Sequence, residues 1–231
     1  MRFPGPAADA LDAVMVNTGG GIAGGDRFDI DVSLEEGAHL AITTAAAEKI
    51  YRSLGPDAAI RVALDVGSNG KLLWLPQETI LFDGARLSRS INVDLAPGAT
   101  LVLAEGVVFG RAARHETVRQ GRLFDRWRVR VDGTLRFAET TNLDGAIAER
   151  LNEPAVAAGG GAIATLLLLP GNQEMVEVLR AIPDFCGETA ASTWNGLALA
   201  RFVAPDGMSL RHDLGLALSA LAIPVPRLWL Q

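Results

Sequence analysis

Gly19, Gly21 and Gly24, within the run N-T-G-G-G-I-A-G-G-D at 17–26, satisfy the G-x-G-x-x-G spacing that binds a dinucleotide pyrophosphate. That chemistry needs a strand before the glycines and a helix after them, whose free N–H groups and dipole hold the phosphates. Here Arg27-Phe28-Asp29-Ile30-Asp31-Val32-Ser33-Leu34 alternates polar and apolar with period two, and Glu35-Glu36-Gly37 closes it as a turn. A strand follows the glycines, so affinity for GTP or NAD is expected to be absent. The glycines then serve backbone geometry, through positive φ or the close approach of another segment.

The other reactive residue types are sparse. His39, His115 and His212 form no i, i+4 pair and no Cys/His cluster with zinc-like spacing. His39 follows a turn in a strand, where a structural role fits better than ligation. His115-Glu116 ends a polar, basic loop, Gly110 to Glu116, whose composition suits recognition. No G-x-S-x-G elbow occurs, Ser192 and Ser209 lack neighbours for a triad, and the single cysteine, Cys186, has no pattern around it that marks a nucleophile. Carboxylates remain. Glu105 and Glu139 as an acid/base pair would make a β-helical carbohydrate-binding module or enzyme, but that reading calls for a row of aromatics, and one Tyr and four Trp are scattered.

The elements that carry these carboxylates repeat. Ile30 to Thr44 aligns with Ile91 to Glu105 at an offset of 61 residues, with Ile, Val, Leu, Gly, Ala and Leu in step. Between them lies Ile60 to Val66, the turn Gly67-Ser68-Asn69-Gly70, and Lys71 to Glu78; a fourth copy is Trp127 to Val131, Asp132-Gly133, and Thr134 to Glu139. Each unit is strand, turn, strand, read as a hairpin, and recurs roughly every 30 residues, a period at which stacked units bury a core together. The expected fold is mainly β, with stacked, β-helix-like layers. The units end alike, on Thr43-Thr44, Gln77-Glu78, Glu105 and Glu139, so stacked units bring these ends together. They are either solvated strand ends or the lining of a polar passage or a partner-binding seam.

Residues 1–231 are expected to be a single domain, with repeated units over 1–148 and mixed strands and two helices over 149–231. Ile163 to Leu169 reads as a buried strand ended by Pro170-Gly171, and Glu174 to Ala181 has helical spacing with Met175, Val178 and Leu179 on one face. Leu197 to Val203 and Met208 to Arg211 flank Pro205-Asp206-Gly207 as a hairpin, and Asp213 caps a last helix from Leu214 to Ala222. Net charge is −6 without a basic cluster, which argues against nucleic acid and anionic membrane as partners. The longest nearly apolar run, Ala155 to Leu169, is too short to span a membrane, and Met1 to Pro6 lacks an apolar signal region, so the cytoplasm is the expected location.

Four ordered motifs carry a resemblance: N-T-G-G-G-I-A-G-G-D at 17–26, T-T-A-A-A-E-K-I-Y-R-S at 43–53, L-P-Q-E-T-I-L-F-D-G at 75–84 and G-R-A-A-R-H-E at 110–116. With the ending Pro226-Arg227-Leu228-Trp229, the chain resembles the urease accessory protein UreD family, called UreH in some systems. The resemblance implies a non-catalytic cytosolic protein that binds apo-urease and UreF, and UreG through UreF, and supports nickel insertion into urease. It also implies β-strands in a helix-like stack with two helices, no tightly bound cofactor, and transient nickel moving through an internal passage between weakly binding oxygen ligands. Glu78, Glu105 and Glu139 are then expected to face that passage, with Asp26 and Asp83 near it. In one respect the chain departs from the family: only 16 residues precede Asn17, where a further N-terminal segment is usual.

Overall fold

Strands that alternate with period two present one apolar face each, and this chain buries those faces by closing two sheets over a shared interior. The computed structural model describes residues 1–3, 6–7, 10–111, 114 and 116–230; His115 lies outside the described residues. A ten-stranded sheet holds β1 (Pro6–Ala7), β2 (Ala10–Met15), β4 (His39–Thr44), β5 (Glu48–Ile50), β7 (Lys71–Trp74), β8 (Thr79–Leu81), β10 (Thr100–Phe109), β13 (Ala162–Leu169), β14 (Glu188–Trp194) and β15 (Leu197–Ala204). A five-stranded sheet holds β3 (Arg27–Leu34), β6 (Ala58–Val66), β9 (Arg86–Leu95), β11 (Gly121–Val131) and β12 (Thr134–Gly145). The helices are α1 (Ile147–Asn152), α2 (Gln173–Arg180) and α3 (Gly207–Ala220).

The architecture is mainly β and solenoid-like, as the repeat requires, with two of its helices near the C-terminus. The pairing within the units differs from a stack of hairpins. The chain leaves the five-stranded sheet at β3, β6 and β9, turns, and enters the ten-stranded sheet at β4, β7 and β10. Each strand pairs in parallel with its counterpart in the next unit, β3 with β6 and β6 with β9, and β4 with β7 and β7 with β10. Like residues therefore sit side by side: Ile30, Val62, Ile91 and Trp127 form one row, and Leu40, Leu72 and Leu101 another. The fourth unit alone is the expected hairpin. There β11 and β12 run antiparallel about Asp132-Gly133, both in positive φ, as a tight two-residue turn demands.

The C-terminal part also corrects two expectations. Met208 to Arg211 is not a strand but the first turn of α3, which Asp206 caps by accepting the Ser209 N–H at 2.9 Å. The hairpin is formed instead by β14 and β15 about Asn195-Gly196, again with positive φ. Asp213, expected as the cap, lies inside α3 and is fully buried. Helix α2 falls within a residue of its expected span, capped by Asn172 and buried through Val176 and Leu179. Short helix α1 was not anticipated.

Two apolar clusters fill the space between the sheets. One contains Ile91, Leu103, Trp127 and Leu167; the other contains Leu87, Val107 and Leu123, with Ile163 and Val203 packed against it. A third lies on the outer face of the ten-stranded sheet, under α2 and α3. What separates the first two positions the candidate site.

Candidate functional site: a polar layer between the sheets

Along six strands the inward series is apolar, polar, apolar. It reads Leu87, Arg89, Ile91 on β9; Leu103, Glu105, Val107 on β10; Leu123, Asp125, Trp127 on β11; and Ile163, Thr165, Leu167 on β13. On β15 it reads Leu199, Arg201, Val203, and on β12 two polar positions, Glu139 and Thr141, fall between Phe137 and Leu143. Because neighbouring strands keep register, the polar positions form a continuous layer with an apolar cluster on either side.

At its centre Arg89 is almost fully buried, 4% exposed at the side chain. Its guanidinium donates to Asp125 at 3.1 and 2.6 Å, to Glu105 across the interior, and to Thr79 Oγ1 at 3.4 Å. Glu105 also accepts the indole N–H of Trp74 at 2.7 Å. One guanidinium serves two buried carboxylates, so the cluster is short of positive charge. Burial pushes the Glu105 carboxyl above the usual carboxylate range, Asp125 adding to this against the pull of Arg89 and Trp74. The same two carboxylates raise Arg89 despite its desolvation. Further along, Glu139 on β12 accepts from Arg201 on β15 at 2.6 and 2.8 Å, a second ion pair joining the two sheets.

Two cavities open into this layer from opposite sides. One, about 300 Å³, is lined by Glu105, Arg89, Glu139, Thr141, Thr165 and Arg201. The other, about 470 Å³, is lined by Thr44, Glu48, Gln77 and Thr79 and again by Arg89 and Glu105. Arg89 and Glu105 are thus the partition between two polar cavities.

Of the expected residues, Glu105 and Glu139 are brought together in one cavity wall. Glu78 is not: it sits on the outer face of the ten-stranded sheet, bound by Arg211 of α3 at 2.8 and 2.6 Å, since its neighbour Thr79 takes the inward position. Asp26 caps its own turn through the Ala23 N–H at 2.8 Å, and Asp83 accepts the N–H groups of Arg119 and Gln120 at 2.7 and 3.1 Å; neither lines the cavities. Thr44 faces the second cavity and accepts the Gln77 N–H at 2.8 Å, whereas Thr43 is turned to the other face. Sequence reasoning missed Arg89, Asp125 and Arg201, although each was signalled as a charged residue standing at an inward position of an otherwise apolar series. Glu48, within the motif at 43–53, lines the second cavity.

The four sequence motifs prove to be neighbours. Ile22 bridges Ile50, β5 pairs with β8, β8 with β10, and Gly110 donates to Leu81 at 2.8 Å. Asn17 donates to Glu48 at 2.8 Å, and Tyr51 to the Gly20 carbonyl at 2.9 Å. A Cβ on Gly21 would lie 2.6 Å from the Tyr51 ring, and one on Gly24 2.1 Å from Ser53 Oγ. Close approach is therefore what those two glycines serve, and strand β3 follows them. The motifs mark successive layers of one wall.

The sequence that carries these motifs is similar to known proteins. The family model described as "UreD urease accessory protein" covers residues 1–230. A protein of Rhodopseudomonas palustris (strain BisB5) named "Urease accessory protein UreD" is 55% identical over the whole chain, which spans 82% of that protein. A protein of the same name from Bradyrhizobium diazoefficiens is 50% identical, again over the whole chain and 84% of its own length. The chain belongs to the UreD urease accessory protein family.

Proposed function

We propose that this chain acts in urease maturation as a non-catalytic cytoplasmic factor that binds apo-urease and UreF, and UreG through UreF, and that nickel crosses it along the polar layer. One observation carries the passage: two cavities reach the layer from opposite sides and share Arg89 and Glu105 as their common wall. The layer offers only oxygen donors, from carboxylates and threonine hydroxyls, and such donors hold a borderline cation weakly enough to release it. Its three carboxylates, Glu105, Asp125 and Glu139, face two arginines, leaving a net attraction for a cation when all are ionised. Both carboxylates of the competing glycosidase reading are held by arginines, which supports a non-catalytic role. Among the described residues no helix is long and apolar enough to cross a membrane.

The test replaces Thr165 by Leu, which narrows the first cavity without altering any charge. Urease matured in cells with this variant is expected to contain less nickel while the variant still co-purifies with UreF and urease. Full nickel content would overturn the passage; loss of co-purification from the unsubstituted chain would overturn the assembly role.

A further inference from the structure

Cys186 and His212, which sequence spacing left isolated, meet Asp213 on the outer face of the ten-stranded sheet. Cys186 lies in the segment joining α2 to β14, and the other two are consecutive on α3. The Cys186 sulfur, a ring nitrogen of His212 and a carboxylate oxygen of Asp213 all lie within 4.8 Å of one another. Among the described residues this is the one group of three or more such side chains with that spacing.

The arrangement is held from beneath. Asp213 is fully buried, and its two oxygens accept the N–H groups of Cys186 at 2.7 Å and Gly187 at 2.9 Å. That fixes the carboxylate and the backbone of the thiol together. On one side of Cys186 the Phe185 ring packs edge-on against Phe202, 5.9 Å between centroids. On the other, Gly187 lies so close to β15 that a Cβ would stand 2.2 Å from the Val203 carbonyl oxygen. The loop is thus pinned on both sides, while Cys186 and His212 stay exposed, His212 lining the groove beside α3.

Donors bonded to one zinc-like ion at about 2.0–2.3 Å stand at most about 4.6 Å apart, so rotation of the two exposed side chains is enough to bring this trio onto a common ion. We infer that Cys186, His212 and Asp213 form a binding site for a borderline divalent cation of the zinc, cobalt and nickel class, with the remaining position open to water. Thiolate, imidazole and carboxylate together select that class over magnesium or calcium, which take oxygen donors alone. On coordination the thiol S–H bond is replaced by a sulfur–metal bond and the proton leaves to solvent; no redox change occurs. Three protein donors with an open position suit a cation that is exchanged. The site is on the opposite face of the sheet from the polar layer and is independent of the proposed passage.

The experiment titrates the full chain, kept reduced by a phosphine, with cobalt while following the thiolate-to-cobalt absorption, and with zinc by calorimetry. The unsubstituted chain is expected to give the thiolate band and to bind zinc unaffected by excess magnesium. Cys186→Ser should abolish the band, and Cys186→Ser and His212→Ala should each weaken zinc binding at least about tenfold, since loss of an outer-shell partner alone costs about 10- to 100-fold. Both residues are exposed, so thermal melting of the variants should match the unsubstituted chain, and Thr165→Leu should bind as the unsubstituted chain does. No thiolate band, zinc affinity unchanged in Cys186→Ser, or equal displacement by magnesium would each overturn the assignment.

Discussion

Arg89 and Glu105 face one another from the two strands of a single arch, β9 on the five-stranded sheet and β10 on the ten-stranded one, and their buried ion pair ties the sheets together. Removing one partner strands the other's charge in the interior. Arg89→Met leaves both Glu105 and Asp125 unpaired, and is expected to destabilise the chain by about 3–5 kcal/mol, read from its urea midpoint. Adding Glu105→Gln and Asp125→Asn to Arg89→Met should recover part of that loss. A triple variant no more stable than Arg89→Met would mean that packing of the arginine stem, not its charge, sets the cost.

An ion pair outside the polar layer, between Arg111 and Glu116, gives a pH dependence with a definite sign. Arg111 donates to Glu116 at 2.7 and 2.9 Å and stacks over the Phe82 ring, 4.1 Å to its centroid. The guanidinium holds the Glu116 carboxyl below its ordinary value of 4.5, with partial burial opposing. A carboxyl depressed in the folded state binds fewer protons folded than unfolded, so its stabilisation is complete above the unfolded value and fades as pH falls through the folded one. The stability lost in Glu116→Gln should therefore be greatest above pH 4.5 and shrink on acidification below it. A difference that stays constant into acid would contradict the pairing.

The sequence carried the layering more fully than the pairing. Alternation set which residues of β9, β10 and β11 face inward, and the interruptions at Arg89, Glu105 and Asp125 were visible in it. Attention to strand ends found Glu105 and Glu139 but also drew in Glu78, which one step of the period-two alternation turns to the outer face. Whether strand, turn, strand is a hairpin or an arch is not written in the turn, because it depends on partners about 30 residues away in the chain, the repeat length of a solenoid. Among the repeated units only β11 and β12, joined by Asp132-Gly133, carry a turn that imposes a hairpin. The trio at Cys186 was hidden for the same reason: its members are joined by tertiary packing.

The glycine motif makes a steric prediction. A Cβ on Gly24 would meet Ser53 Oγ at 2.1 Å and the Pro56 carbonyl oxygen at 2.7 Å. Gly24→Ala is expected to cost about 1–3 kcal/mol, the usual range for overpacking. Ser53→Ala in that background should restore part of it, because the Pro56 contact is backbone and persists. Equal melting temperatures for Gly24→Ala and the unsubstituted chain would refute close approach as the reason for the glycine.

Asp206 and Asp213 differ in what they hold. Asp206 caps α3 from its exposed end, and its replacement by Ala should cost about 0.5–2 kcal/mol. Asp213 is buried and serves two backbone N–H groups of another segment, each of which would lose its partner. Leaving a fully buried donor unsatisfied costs about 1–3 kcal/mol; these two are part-buried, but both are lost at once, so Asp213→Ala should be the more damaging. The reverse order in chemical denaturation would restore Asp213 to the role of a local cap.

Arg201 and Glu139 repeat the chemistry of Arg89 and Glu105 at a different depth. Both pairs join the two sheets, but the Arg201 side chain is 51% exposed where that of Arg89 is 4%. Water solvates a guanidinium left at the rim, and screening weakens its attraction to Glu139, so exposed pairs contribute only about 0–1 kcal/mol. Arg201→Ala should accordingly shift the urea midpoint far less than Arg89→Met, and added salt should erase most of its effect. Glu139 is 15% exposed and keeps enough access to water to bear the loss of its partner. If Arg201→Ala destabilised the chain as much as Arg89→Met, the second pair would have to be as dry as the first, and the cavity that opens beside it could not admit an ion from solvent.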